Sequence, residues 1–209
     1  MGKCLIFDCD GTLVDSELLC HQGLAYELDK LGVYEDADSM MHRFRGWKLA
    51  NIFEQIEEQH SIQLPNSFEP QYRKAMAKLF ASELKPITGA HETLSRLPHV
   101  KCVASSGPMH KIIQALEVTN LRQFFDNHLF SAYDVGSWKP DPDLFLHAAD
   151  QMGFNPDACV VIEDSLVGIQ AARAAGMRAI FFNPNQINLP TFDKVEQIQK
   201  MSQLTYLLS

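Results

Sequence analysis

Cys4-Leu5-Ile6-Phe7-Asp8-Cys9-Asp10-Gly11-Thr12 is the stretch on which the reading of this chain turns. Its first four residues are an apolar run of the kind that makes a short buried strand. Two carboxylates, Asp8 and Asp10, follow at the C-terminal end, where open α/β sheets hold their ligands. Residues i and i+2 of a strand point the same way, so the spacing starts both acids on one side. Gly11 permits a sharp turn, and Thr12 is expected to bring a hydroxyl and a backbone N–H near the pair. Two close carboxylates repel, so a cation, by ligand type a hard metal, is expected between them. A calcium loop beginning at Asp8 is ruled out, because its sixth and twelfth positions need Gly and Glu and here are Leu13 and Leu19. A polar turn capping a buried strand remains the alternative for this motif taken alone.

Three further segments follow in order. Val100-Lys101-Cys102-Val103-Ala104 leads into Ser105-Ser106-Gly107, and Ala158-Cys159-Val160-Val161-Ile162 leads into Glu163-Asp164-Ser165. Between them, Ser137-Trp138-Lys139-Pro140-Asp141-Pro142 opens a helical stretch. Each has a plain structural reading: Ser105 or Ser165 as a helix N-cap, Lys139 as a surface charge, Glu163-Asp164 as a solvated strand end. The order acid pair, hydroxyl, lysine, acid pair argues against four separate accidents.

With these residues in view, the chain resembles the haloacid-dehalogenase superfamily of phosphohydrolases. Its four motifs match in order from residue 3 to about 183, and within the superfamily the chain is similar to the β-phosphoglucomutase-like group. The resemblance implies a Rossmann-like parallel sheet core, class α/β, with an inserted helical-bundle cap domain. The core is expected over 1–15 and 86–209 and the cap over 16–85. It also implies the site. Asp8 is the expected nucleophile, Asp10 the acid–base, and Ser105 and Lys139 the donors to the phosphoryl oxygens, with Thr12, Ser106 and Gly107 beside them. Mg2+ is the implied cofactor, held by Asp8, the Asp10 backbone carbonyl and Asp164, with Glu163 bound directly or through water. Superfamily dehalogenases lack the second acid, so Asp10 argues against carbon–halogen cleavage.

The residue types suit the chemistry independently of the resemblance. Phosphoryl transfer asks a protein mainly for positioning and charge stabilisation. A carboxylate can act as nucleophile, a second can move protons, and a hydroxyl with a fixed ammonium can hold the transferring oxygens. Magnesium takes oxygen ligands and keeps waters, so a few carboxylates suffice.

Length and charge narrow the function classes. A chain of 209 residues that is 46% hydrophobic can bury one full core and a small second module. A formal charge of −8 makes nucleic acid or an anionic membrane surface an improbable partner. A small phosphorylated metabolite is the expected one, handled by a monomer or weak homo-oligomer. The five cysteines form no C-x-x-C pair and lie mostly in apolar runs, so they read as reduced core residues of a cytoplasmic protein. The N-terminal apolar run is too short for a signal peptide, and Ile6 stands where myristoylation wants Ser or Thr.

Along the chain, 3–8 reads as a strand and 16–83 as helices. These are a helix from Ser16 to Leu31 stopped by Gly32, striped by Leu18, Leu19, Leu24, Leu28 and Leu31, then Ala37–Phe44, Lys48–Gln59 and Phe68–Ser82. From 89 onward, helices alternate with short apolar strands near 100–105, 128–131, 158–163 and 178–182, with no strand assigned after Pro190. Such a cap can exclude water and read the leaving group, with hinges at Val14–Ser16 and Leu84–Thr88. Arg43, Arg45 and Lys48, around Gly46, are its densest cations and the expected readers of a phosphorylated sugar or sugar acid such as 6-phosphogluconate.

Two alternatives stay open. A sugar-phosphate mutase would carry a histidine twelve residues after the nucleophile, where this chain has Cys20 and then His21. A receiver-like or non-catalytic phosphate-binding protein would share the acids but not the long helical insertion.

Overall fold

The computed structural model describes residues 2–44, 47–186 and 195–208. The chain begins with β1 (Cys4–Phe7), passes through four helices, α1 (Glu17–Asp29), α2 (Ala37–Phe44), α3 (Leu49–His60) and α4 (Phe68–Glu83), and then returns to alternation. That second part comprises α5 (Ala90–Arg96), β2 (Val100–Ser105), α6 (Met109–Val118), β3 (Leu129–Ser131), α7 (Ala132–Val135), α8 (Asp143–Met152), β4 (Cys159–Glu163), α9 (Leu166–Ala174), β5 (Arg178–Phe182), β6 (Glu196–Ile198) and α10 (Leu204–Leu207). Two compact units result, one of residues 1–14 with 85–209 and one of residues 15–84.

In the first unit the strands form a six-stranded sheet in the order β3-β2-β1-β4-β5-β6, with every neighbour parallel. β1 is central and fully buried, as an apolar run covered on both faces should be. Alternate residues divide between the two faces. Cys4, Ile6, Cys102, Ala104, Cys159, Val161, Ala179 and Phe181 join one buried cluster with Leu144, Phe145, Ala148 and Ala149 of α8 and Ile169, Ala171 and Ala172 of α9. The alanines allow these helices to lie close on the sheet. On the other face Phe7 meets Phe125 edge-on, with ring centroids 5.9 Å apart. The order reverses direction at β1, so the C-terminal ends of β1, β2 and β4 frame the switch point at which such sheets bind ligands.

The outgoing and returning chains of this unit lie side by side. Val14 bridges Pro86 in antiparallel fashion, and Ile87 N–H donates to Leu13 O at 2.9 Å.

β6 is a strand that the sequence pattern did not supply. Glu196 and Gln197 are exposed and only Ile198 is buried, so this edge strand has no apolar run to betray it.

The second unit is a helical assembly in which α1 packs on α2 and α4. Its buried residues include Leu24, Leu28, Met40, Phe44, Ile52, Ile56, Phe68, Tyr72, Met76 and Phe80, at the helical spacing expected of inward faces. The stripe of α1 is shorter than its leucines suggest. Leu31 lies beyond the helix and is exposed, Leu18 and Leu19 are half-buried, and His21 and Glu27 take buried positions instead. No helix among the described residues is long and apolar enough to cross a membrane. None of the five cysteines is in a disulfide; Cys4, Cys9, Cys102 and Cys159 are buried and Cys20 is half-buried.

Candidate active site

The end of β1 becomes a site because the ladder continues one residue past the strand. Asp8 N–H donates to Ile162 O at 2.9 Å, which aligns Asp8 with the end of β4. The chain then folds tightly: Leu13 N–H donates to Cys9 O and Gly11 N–H to Val14 O, both at 2.9 Å. Gly11 is required twice over. Its φ is +77°, and a Cβ there would run into the Asp164 carboxylate. Thr12 is fully buried, and its hydroxyl donates to Asp164 Oδ1 at 3.2 Å.

Lys139, on the loop between α7 and α8, reaches into this group. Its Nζ lies 2.5 Å from Asp8 Oδ1 and 2.7 Å from Glu163 Oε2, with the lysine side chain 3% exposed. The Lys139–Pro140 peptide is cis, and Trp138 leans edge-on against Tyr133 at 5.2 Å. Glu163, the last residue of β4, is held at both oxygens. Oε2 faces Lys139, while Oε1 accepts from Asp164 N–H (3.1 Å), Ser165 N–H (2.9 Å) and Ser165 Oγ (2.7 Å). Ser165 Oγ also accepts from Gly168 N–H at 3.1 Å, so it caps α9 and braces Glu163 at once. Gly168 is the point of closest approach, since a Cβ there would strike Glu163 Cδ.

Asp8, Glu163 and Asp164 each offer an oxygen within 4.8 Å of the others, and all three are buried. Burial first, then the Glu163 charge, pushes the Asp8 carboxyl well above the usual carboxylate range, with Lys139 opposing. Burial alone would push the Lys139 ammonium down, but Asp8 and Glu163 outweigh it and hold the group above its ordinary value. Three carboxylates against one ammonium leave negative charge in excess, and the donors are all oxygens. That set suits a hard divalent cation. Asp8, Glu163 and Asp164 could each contribute an oxygen to one, Glu163 with both of its oxygens already engaged by the protein.

Asp10 lies apart from this cluster. Its Oδ2 is 3.0 Å from Lys111 Nζ, on the first turn of α6, and both side chains are about a quarter exposed (29% and 26%). Nothing in the motif reading pointed to Lys111. One available signal is its position, since a cation in the first turn opposes the helix dipole and so asks for a reason. Ser105, buried at the end of β2, accepts from Gly107 N–H at 3.1 Å through its Oγ, and Ser106 is exposed. Ser131, also missed, ties this loop to β3: its Oγ donates to Gly107 O at 2.7 Å and accepts from Tyr133 N–H at 3.1 Å.

Of the expected cap cations, Arg43 is engaged within its own unit. It donates to Glu35 Oε2 at 2.9 Å and Gln59 Oε1 at 3.0 Å. Lys48 is the exposed N-cap residue of α3. Arg45 and Gly46 lie outside the described residues.

Sheet order, acid cluster and buried lysine together mark a candidate active site at the carboxyl edge of an α/β sheet. The sequence matches the haloacid dehalogenase-like hydrolases over residues 5–182, and the chain belongs to that family. It is 37% identical to the 6-phosphogluconate phosphatase of Escherichia coli, over 98% of this chain and 94% of that one. It is 31% identical to an E. coli fructose-1-phosphate phosphatase, covering 84% and 94% of the two chains. A haloacid dehalogenase-like protein of Agrobacterium tumefaciens superposes with a TM-score of 0.84 at 36% identity, covering 99% of this chain and 97% of that one.

Proposed function

We propose that this phosphoric monoester hydrolase dephosphorylates a small sugar or sugar-acid phosphate, 6-phosphogluconate foremost, through a phosphorylated Asp8. The observation that carries the reading is the meeting of Asp8, Lys139, Glu163 and Asp164 at the ends of β1 and β4, with a second acid, Asp10, on its own cation. Asp8 attacks phosphorus, the bond to the leaving oxygen breaks, and Asp10 gives that oxygen a proton. Asp10 then takes a proton from the water that attacks the aspartyl-phosphate, releasing inorganic phosphate. Lys139 keeps Asp8 aimed and places positive charge beside the transferring oxygens. Ser105, Ser106 and Gly107 are the proposed donors to the phosphoryl group, and Thr12 keeps Asp164 in place. Mg2+, held by Asp8, Asp164 and the Asp10 carbonyl, would neutralise carboxylates and phosphoryl oxygens together.

The named specificities of the two E. coli relatives support both an acidic and a neutral leaving group. Arg43, Arg45 and Lys48 are the proposed readers of a leaving-group carboxylate, with Arg43 also donating to Glu35 and Gln59 within its own unit. Hydrolysis is preferred over a mutase reaction on one observation. Cys20 stands where a mutase histidine would, and the next residue, His21, is buried with Nδ1 on Glu17 O at 2.8 Å.

The test is phosphate release from 6-phosphogluconate, fructose 1-phosphate and p-nitrophenyl phosphate, with Mg2+ and with excess EDTA. Mg2+-dependent release is expected, with preference for the sugar phosphates. Asp8→Asn should abolish turnover and remove a hydroxylamine-sensitive phosphoenzyme. Full turnover in EDTA, or by Asp8→Asn, overturns the reading.

A further inference from the structure

We infer that Lys111 is a positioning residue that holds the Asp10 side chain within reach of the leaving oxygen, to which its acid form hands a proton. The inference rests on the acid–base role proposed for Asp10 and adds what keeps that carboxylate in place. Asp10 and Lys111 are 101 residues apart in sequence, yet Nζ and Oδ2 meet at 3.0 Å. The loop after β2 lies against the pair. A Cβ on Gly107 would lie 3.6 Å from Lys111 Cδ and 3.8 Å from Asp10 Oδ2, so the loop after β2, the lysine stem and the acid share one small space. That loop is itself anchored. Ser131 Oγ donates to Gly107 O and Ser105 Oγ accepts from Gly107 N–H, which fixes the start of α6 against β2 and β3. The lysine stem therefore leaves a fixed base, and its ammonium is one fixed point for a carboxylate that is partly exposed.

Charge placement argues in the same direction. An ammonium on the first turn of a helix is unfavourable to the dipole, and Lys111 sits at the third position of α6. Its pairing with Asp10 offsets that cost and joins the acid to the sheet through α6. Lys139 does not reach Asp10 in this way, being committed to Asp8 and Glu163. The two lysines thus divide the work, one on the nucleophile and one on the proton carrier. A small displacement of a proton donor can cost a large factor in rate, so loss of Lys111 should be felt where protonation matters.

The experiment is Lys111→Met, made alone and in the Asp10→Asn background, assayed at saturating Mg2+ on fructose 1-phosphate and p-nitrophenyl phosphate. An alkoxide leaving group needs the proton and p-nitrophenolate barely does. The expected result is a loss of about tenfold or more in kcat on the sugar phosphate with little change in KM. On p-nitrophenyl phosphate the loss should be clearly smaller, and in the Asp10→Asn background there should be no further loss. Lys111→Arg should restore most of the sugar-phosphate rate. Lys111→Gln, which keeps length and a donor without the charge, carries the same expectation as Met if the Met variant does not fold. Equal losses on the two substrates, an undiminished loss in Asp10→Asn, or an unchanged kcat on the sugar phosphate each overturn the inference. A wild-type chain that turns over neither substrate overturns the acid–base reading along with it; an active wild type with additive losses overturns this inference alone.

Discussion

At the scale of single residues, Asp8 shows what kind of site this is. Its carboxyl is pushed up by burial and then by Glu163, with Lys139 unable to compensate fully. This is the signature of a buried group short of positive charge, and a dication is the natural remedy. Mg2+ in large excess over its dissociation constant should therefore raise the melting temperature. About 2.7 kcal/mol at a hundredfold excess corresponds to roughly 5–10 °C for a chain of this size. Asp164→Asn should shrink that shift and raise the Mg2+ concentration needed for activity, and thermal scans across a Mg2+ series read both. A shift of the same size in Asp164→Asn would remove this residue from the ligand set. The acids and Lys139 were legible in the sequence because each follows an apolar run or opens a helix with a proline beside it. Lys111 was not, because its partner is far away in sequence and no spacing links them. Nor were the contacts of Arg43 with Glu35 and Gln59, 8 and 16 residues away with no motif to link them.

At the scale of elements, the first turn of α9 determines where Glu163 points. Ser165 caps the helix through Gly168 N–H and donates to Glu163 Oε1 with the same hydroxyl. Ser165→Ala removes both, so it should cost about 1–2 kcal/mol of stability, the upper part of the range for a lost cap. Gly168→Ala leaves the cap intact and drives a methyl into Glu163. That variant should lose both stability and Mg2+ affinity, whereas Ser165→Ala, which leaves Glu163 Oε1 its two backbone N–H donors, loses mainly stability. Denaturation midpoints and Mg2+ activation curves separate the two, and an unaffected Gly168→Ala would show that Glu163 can move aside without penalty. Helix bounds were readable to within a residue or two in most cases, as α2 at Ala37–Phe44 shows. The side of a helix that ends up buried was less so. On α1 the leucines suggested a longer stripe than packing uses, because His21 satisfies its ring nitrogen on Glu17 O and can go inside.

At the scale of the whole molecule, the alternation of helix and strand after residue 89 and the helical stretch before it announced a parallel sheet with an insertion. The structure adds that the sheet continues to β6, whose polar, edge-strand composition hides it from any search for apolar runs. It also adds that the chain leaves and re-enters the sheet unit at adjacent points, Val14 beside Pro86. The cysteines carry a different consequence. Four of the five are buried, three of them within the sheet, while Cys20 alone is half-buried. The Cys4 thiol is pushed up to about 12, chiefly by its contact with Cys102, so even a reagent that reached it would find little thiolate. The native chain should offer a disulfide reagent such as 5,5′-dithiobis(2-nitrobenzoic acid) one prompt sulfur and the denatured chain five. The remaining four would then appear at the rate at which the sheet opens, making them a built-in clock of unfolding. Added Mg2+ should slow that clock if the metal site and the sheet open together, and leave it unchanged if they come apart separately.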